Sequence, residues 1–408
     1  MKALYSIILL SLALNVLSQN NKMLTPNPPM GWNSWNWFGK TEINEQNMRE
    51  CIDAIVDQGL LDAGYKYFII DGGWRDSKLG PNGELLAHPM KFPSGMKALA
   101  DYAHSKGLKF GLHTVPGTND CGGDLVGGYN REEIHVRQFV DWGLDFVKVD
   151  LCKQTEDPCS TCEKIKNGWS EENIKNTYIK WSKLLNTCGR DILFSISAYR
   201  YRDWYPEYCN MARSTQDIRS RISKGAVFNS EARENKGLLT VMAIGEFNNR
   251  SAQAAGNGFW NDPDMLVTGE QGLTLDEQKT HFGLWCIMSA PLFLGNDPRK
   301  MTGEEKAIIM NKMAIAIDQD PTEQGKRVKK DGDIEVWVKQ LKNKQKSILI
   351  LNLNNKDIKD YKLNITELGI NKKGRDITDV YSGEKISRKK EVISFKMNPH
   401  ACIFLKVE

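Results

Sequence analysis

Carboxylates in this chain tend to close short apolar runs. Asp71 ends "YKYFIID", Lys148 and Asp150 end "LDFVKVD", and Asp262 and Asp264 lie in "FWNDPDML". Other polar residues take similar places: His113 in "LKFGLHTV", Ser197 in "DILFSIS", and Arg213 with Asp217 in "RSTQD". A set rich in carboxylates, without the His/Cys spacing of a metal centre, suits acid–base work on a neutral polar molecule, with no metal or cofactor expected. Trp32, Trp35, Trp37, Trp74 and Trp260 fall in the same turns. Aromatic faces stack on the C–H faces of sugars and carboxylates take their hydroxyls. Together they point to glycoside hydrolysis by a carboxylate pair.

Lys148 and Asp150 are two apart on a strand and share a face, so the lysine favours an ionised aspartate, as a nucleophile requires. A general acid must start protonated. Direct pairing with Arg213 would oppose that at Asp217, so the guanidinium is expected to hold a sugar hydroxyl instead. Taken singly, each of these pairs reads as a structural ion pair. Their convergence at successive strand ends is what suggests a site.

The elements that would position these residues alternate. "MKALADYAHSKG", "EEIHVRQFVDWG" and "EENIKNTYIKWSKLLNTCG" read as helices stopped by Gly107, Gly143 and Gly189. Between them the strands are near-continuous apolar runs, as expected when both faces are covered. Repeated β-then-α units predict an α/β fold, a (β/α)8 TIM barrel over residues 20–320 with its site at the C-terminal strand ends. An open doubly wound sheet is the rival, weakened by the lack of a Gly-rich phosphate fingerprint after the first strand. Residues 321–408 change texture. "DIEVWVKQL", "SILILNLN", "EVISFKM" and "ACIFLKVE" alternate between polar turns and predict a C-terminal antiparallel β-sandwich domain.

The 408 residues carry a net charge of +4, too small and too scattered for a nucleic-acid partner. Residues 323–408 hold 20 Lys/Arg against 12 Asp/Glu, spread among strands and turns, which reads as a solvated surface. Residues 1–19, with "ALYSIILLSLALNVL" after Met1-Lys2, read as a secretory signal peptide. The mature chain is then expected to be exported, secreted or periplasmic, with no membrane contact after cleavage and with disulfides permitted. Of nine cysteines, Cys159 and Cys162 form a C-x-x-C best read as a local disulfide or loop clip. Asn249 and Asn364 lie in N-x-S/T triplets.

The stretches "PPMGWNSWN", "DAGYKYFIIDGGW", "GLKFGLHT", "DWGLDFVKVDLC", "WNDPDMLVTG" and "GLWCIMSAPLFLGND" resemble, in order from Pro28 to Asp297, the α-galactosidases and α-N-acetylgalactosaminidases of glycoside hydrolase family 27, the melibiase clan. The resemblance implies a retaining exo-hydrolase of an oligosaccharide or polysaccharide, with Asp150 as nucleophile and Asp217 as acid/base. It implies sugar contacts from Trp35, Asp71, His113, Lys148, Ser197 and Arg213, and a disulfide between Cys121 and Cys152 that braces the nucleophile strand. The chain departs from the family at Gly72, where a second aspartate is usual, and at Gly73, where a cysteine is usual; Cys51 lies where that cysteine's partner would be sought. His113 replaces a tyrosine. Ser197 matches the N-acetylgalactosaminidases rather than the α-galactosidases, but Arg200 replaces the small residue expected beside an acetamido group. Cys209 matches half of another disulfide, whose partner position is Ile196. The expected substrate is a terminal α-galactoside. An α-N-acetylgalactosaminide, a β-L-arabinopyranoside and an isomaltose-type α-glucoside are alternatives, as is an inactive carbohydrate-binding protein.

Overall fold

The apolar runs form strands with both faces covered. A computed structural model describes residues 23–152, 169–220, 228, 238–269, 272–370, 376–386 and 391–408. The expected leader and the Cys159/Cys162 pair lie outside the described residues. Eight parallel strands make one sheet: β1 (Met30–Asn33), β2 (Tyr67–Ile70), β3 (Lys109–Thr114), β4 (Phe146–Asp150), β5 (Leu193–Ser197), β6 (Met211–Arg213), β7 (Trp260–Asp262) and β8 (Leu292–Leu294). Their order is β7-β6-β5-β4-β3-β2-β1-β8. The seam between β7 and β8 is joined just beyond β7. There Leu266 bridges Leu294, its N–H donating to the Phe293 carbonyl (2.7 Å) and its carbonyl accepting from the Gly295 N–H (2.9 Å).

Side-chain alternation sorts each strand into an inner and an outer set. Tyr67, Ile69, Phe146, Leu193, Met211, Trp260 and Phe293 form one buried cluster, which we place inside the barrel. Phe68, Ile70, Val147, Val149 and Phe194 belong to a larger cluster shared with the surrounding helices. On β4 the inner row therefore climbs from Phe146 through Lys148 to Asp150, and on β2 from Tyr67 through Ile69 to Asp71. Apolar residues plug the lower barrel and leave charged ones at the C-terminal end. The helices predicted from sequence are present at Gly95–Ser105, Glu132–Asp141 and Glu171–Thr187. Gly107, at φ 86°, turns the chain out of the first of these and into β3.

Beyond the barrel, β9 (Lys326–Asp331), β10 (Ile334–Gln340), β11 (Lys346–Asn352), β12 (Ile358–Asn364), β13 (Ile377–Asp379), β14 (Val392–Met397) and β15 (Cys402–Val407) are paired antiparallel. They form a five-stranded sheet, β9-β10-β11-β15-β13, and a two-stranded sheet, β12-β14. Val336, Ile348, Ile350 and Leu405 pack with Leu363, Ile393 and Phe395 of the smaller sheet. Trp337, Leu349, Leu351 and Phe404, on the alternate face, join the barrel's outer core instead. Strands β10 and β11 are thus buried on both faces rather than half exposed. The helix Leu275–Ile287 lies between this sheet and the barrel, and Gly283 lets it approach closely: a Cβ there would sit 3.2 Å from Leu349.

Gly111 on β3 marks a tight point in the barrel, because a Cβ at this position would lie 2.5 Å from Ile69 Cδ1 and 2.7 Å from Phe146 Cβ. We expect Gly111→Ala to lower stability by about 1–3 kcal/mol through overpacking. A denaturant melt should show an earlier midpoint at unchanged slope; an unshifted midpoint would show that the barrel interior has room to spare.

Candidate active site

The inner rows of β2, β4 and β6 end in charge, and packing makes that charge interlock. Lys148 Nζ donates to Asp71 Oδ2 (2.9 Å) across the barrel, and Asn33 Nδ2 donates to the same oxygen (2.9 Å). The Gly72 N–H donates to Asp71 Oδ1 (2.8 Å), and the Asp71 N–H to Ser34 Oγ (2.9 Å). Burial alone would raise the pKa of Asp71, but Lys148, His113 and these donors outweigh it and hold the carboxyl far below its usual range. Lys148 is pushed the other way: burial opposes its charge, and Asp71 followed by Asp150 more than restores it.

Asp150 is 9% exposed and its Oδ2 lies 3.4 Å from His113 Nε2. Burial raises its pKa, yet the His113 contact and then the Lys148 charge bring it below the ordinary value. The other oxygen, Oδ1, is buried without a hydrogen-bond partner among the described residues. Lys148 therefore supports Asp150 from a distance while bonding directly to Asp71. The disulfide Cys121–Cys152 is present and ties the loop after β3 to the end of β4, with Cys121 Sγ 3.9 Å from Asp150 Oδ2.

Asp217 approaches from the next strands. Arg213, buried at the end of β6, donates through Nη1 to Asp217 Oδ1 (3.0 Å), pairs through Nη2 with Asp264 Oδ2 (3.1 Å), and donates to the Thr215 carbonyl (3.1 Å). The expectation that Arg213 avoids Asp217 is thus corrected, because the guanidinium spans both carboxylates. Asp264 has φ 87°, and its carboxylate accepts the Ile218 and Met265 N–H groups (2.8 and 2.9 Å). Burial, only partly offset by Arg213, raises its pKa to about 6.

Trp35, Asp71, His113, Lys148, Asp150, Arg213 and Asp217 line one cleft of about 380 Å³, together with Gly72, Cys121, Tyr199, Asp264 and Met265. Ser197 does not line it: the residue pairs with Asp150 in the sheet and its buried Oγ has no partner among the described residues. Arg200 also points elsewhere, pairing with Glu171 on the surface, so its guanidinium does not crowd the cleft. Of the five tryptophans, only Trp35 borders it. Trp32 stacks on Phe68 (4.7 Å) and bonds the Asn296 carbonyl, Trp74 bonds the His113 carbonyl, and Trp260 bonds the Thr25 carbonyl, all three in the core. Trp37 is half-buried under Lys300. Gly72 lies close to the Trp35 ring, which a Cβ would meet at 3.3 Å. Cys51 and Cys209 are free thiols. Tyr199 is among the cleft residues that sequence reading missed, with Asn36, Ile218, Ser220, Leu238 and Met265. It follows Ser197 by two, with φ 61°, and burial and the adjacent Asp150 keep its phenol protonated.

Residues 27–320 match the family model of α-galactosidase A, and residues 331–407 match that of the α-galactosidase C-terminal β-sandwich domain. The chain belongs to glycoside hydrolase family 27. This hydrolase is 37% identical over 94% of its length to α-galactosidase 2 of Arabidopsis thaliana, covering 89% of that protein. It is 33% identical to α-galactosidase A of Cellvibrio japonicus, covering 96% of this chain and 94% of that one. The crystal structure of α-galactosidase I from Mortierella vinacea superposes with a TM-score of 0.85 at 27% identity, over 95% of this chain and 98% of the other. The catalytically inert carbohydrate-binding alternative is therefore set aside in favour of a glycoside hydrolase.

The Asp71–Lys148 pair sets an acid limit on this hydrolase. Because the folded Asp71 carboxyl lies below its usual 3.8, its contribution is complete above about pH 4 and is lost as pH falls through the folded value. We expect Lys148→Met to cost roughly 3–5 kcal/mol at neutral pH by leaving a buried carboxylate unpaired. The loss should shrink as pH falls, and urea midpoints between neutral and acid pH would show it. A pH-independent difference would contradict the ion-pair account.

Proposed function

We propose that this chain is an exported retaining exo-hydrolase of terminal α-galactosides, acting by double displacement through a glycosyl-aspartate. The observation that carries the proposal is the cleft shared by Asp150 and Asp217, with Asp150 buried and biased toward its anion and Asp217 half exposed beside Arg213. In the first half-reaction Asp150 attacks the anomeric carbon while Asp217 delivers a proton to the departing glycosidic oxygen. In the second, Asp217 takes a proton from water, which displaces Asp150. Asp217 is half exposed, with a side-chain exposure of 50%, and so can exchange protons with solvent between the two. His113 and Tyr199 keep hydrogen-bonding groups beside the nucleophile, and Lys148 is placed to take a sugar hydroxyl while bonding Asp71. Trp35 offers its ring at the rim.

Substrate choice rests on the named relatives, which are α-galactosidases. Gly72 leaves one side of the cleft without a carboxylate, which favours a sugar needing fewer polar contacts there. Export is supported by the apolar leader and by the Cys121–Cys152 bridge.

Proton NMR of fresh product should show retention at the anomeric centre; inversion would exclude the covalent route. Asp150→Asn should lower turnover by roughly 10⁴-fold or more while leaving the circular dichroism spectrum intact. Of p-nitrophenyl α-galactoside, α-N-acetylgalactosaminide, β-L-arabinopyranoside and α-glucoside, the first is expected to be cleaved with the highest kcat/KM. Preference for another would reassign the sugar without altering the mechanism.

A further inference from the structure

His113, Cys121, Asp150 and Cys152 each bring one ligand-type atom to a common point, all within 4.8 Å of one another. Nitrogen, carboxylate oxygen and two sulfurs form a donor set that suits zinc and similar thiophilic divalent cations. With Zn–N and Zn–O bonds of about 2.0 Å and Zn–S bonds of about 2.3 Å, a tetrahedron has edges of roughly 3.3–3.8 Å. His113 Nε2 and Cys121 Sγ lie 3.4 and 3.9 Å from Asp150 Oδ2, so two edges are already near that length. What blocks the tetrahedron is the covalent bond between the two sulfurs, which leaves neither as a thiolate.

We infer that reduction of the Cys121–Cys152 disulfide opens a four-ligand site for a thiophilic divalent cation that captures Asp150. A dithiol reductant supplies two electrons and two protons to the S–S bond and leaves as its own cyclic disulfide. The two new thiols then lose their protons to solvent as the cation binds them, and the free rings and oxygens of His113 and Asp150 complete the shell. The Cα atoms of the two cysteines are 5.0 Å apart, so the sulfurs separate by side-chain rotation alone. Three anionic ligands and one dication leave the cluster with an excess negative charge, which Lys148 and the buried Arg75 guanidinium are near enough to offset. Binding rests on this geometry; its inhibitory effect rests on the proposed role of Asp150 as nucleophile.

Cobalt(II) reports both ligand type and geometry. The chain carrying Cys159→Ser and Cys162→Ser, reduced with a dithiol and freed of it anaerobically, should bind one equivalent. It should show thiolate-to-cobalt charge transfer in the near ultraviolet and intense tetrahedral d–d bands. The same chain left oxidised should show neither, a comparison that needs no further substitution. His113→Ala should weaken binding by at least the roughly tenfold that loss of a mere supporting partner costs. Glycosidase activity should fall in step with zinc occupancy and return with a chelator. Absent bands in the reduced chain, bands that survive Cys121→Ser with Cys152→Ser, or an unaffected His113→Ala would each overturn the site. One cobalt bound with these bands at undiminished activity would uphold the site and overturn the nucleophile assignment.

Discussion

Charge buried at one end of the barrel is the constraint on which everything else depends. Asp71, Lys148 with Asp150, Arg213 and Asp264 come from the ends of four strands, β2, β4, β6 and β7, and all lie in the interior. An isolated charge there would cost several kcal/mol or titrate away. Each is tolerable because its neighbour is in place: Lys148 against Asp71, His113 against Asp150, and Arg213 against Asp264 and Asp217. The strand register that aligns Lys148 with His113 and Asp150 with Ser197 therefore serves electrostatics as much as packing.

The same arrangement separates the two carboxylates by environment. Asp150 is surrounded by protein and held toward its anion, while Asp217 stands at the mouth with half its side chain in solvent. Two identical side chains thus sit in different surroundings, which is what the proposed division between displacement and proton transfer would ask for. Arg213 is the hinge of this division, since one guanidinium restrains both Asp217 and the Asp264 carboxylate behind it.

Much of this was legible in the chain itself. Apolar runs closing on charged or polar residues marked β2, β3, β4 and β5, and the glycines after the helices marked their ends. The three-residue strands β6, β7 and β8 are too short for periodicity to register, so the barrel had to be inferred from repetition. Tryptophans misled because their faces suit sugars and cores equally well. Burial placed Trp32, Trp74 and Trp260 inside, each with its N–H bonded to a carbonyl. Arg200 misled for a related reason: its long side chain swings out to Glu171, which no local spacing reveals. Tyr199 escaped notice because its left-handed backbone, rather than its neighbours in sequence, brings it to the cleft.

The helix Leu275–Ile287 has apolar contacts on nearly every side, because one flank meets the barrel and the other meets Leu349 and Phe404 of the β-sheet beyond. Two regions matched by separate family models consequently share one continuous hydrophobic interior. The chain should behave as a single cooperative unit in which the trailing sheet acts as a structural wall of the barrel, and a barrel cut free of it would present a bare oily flank to water.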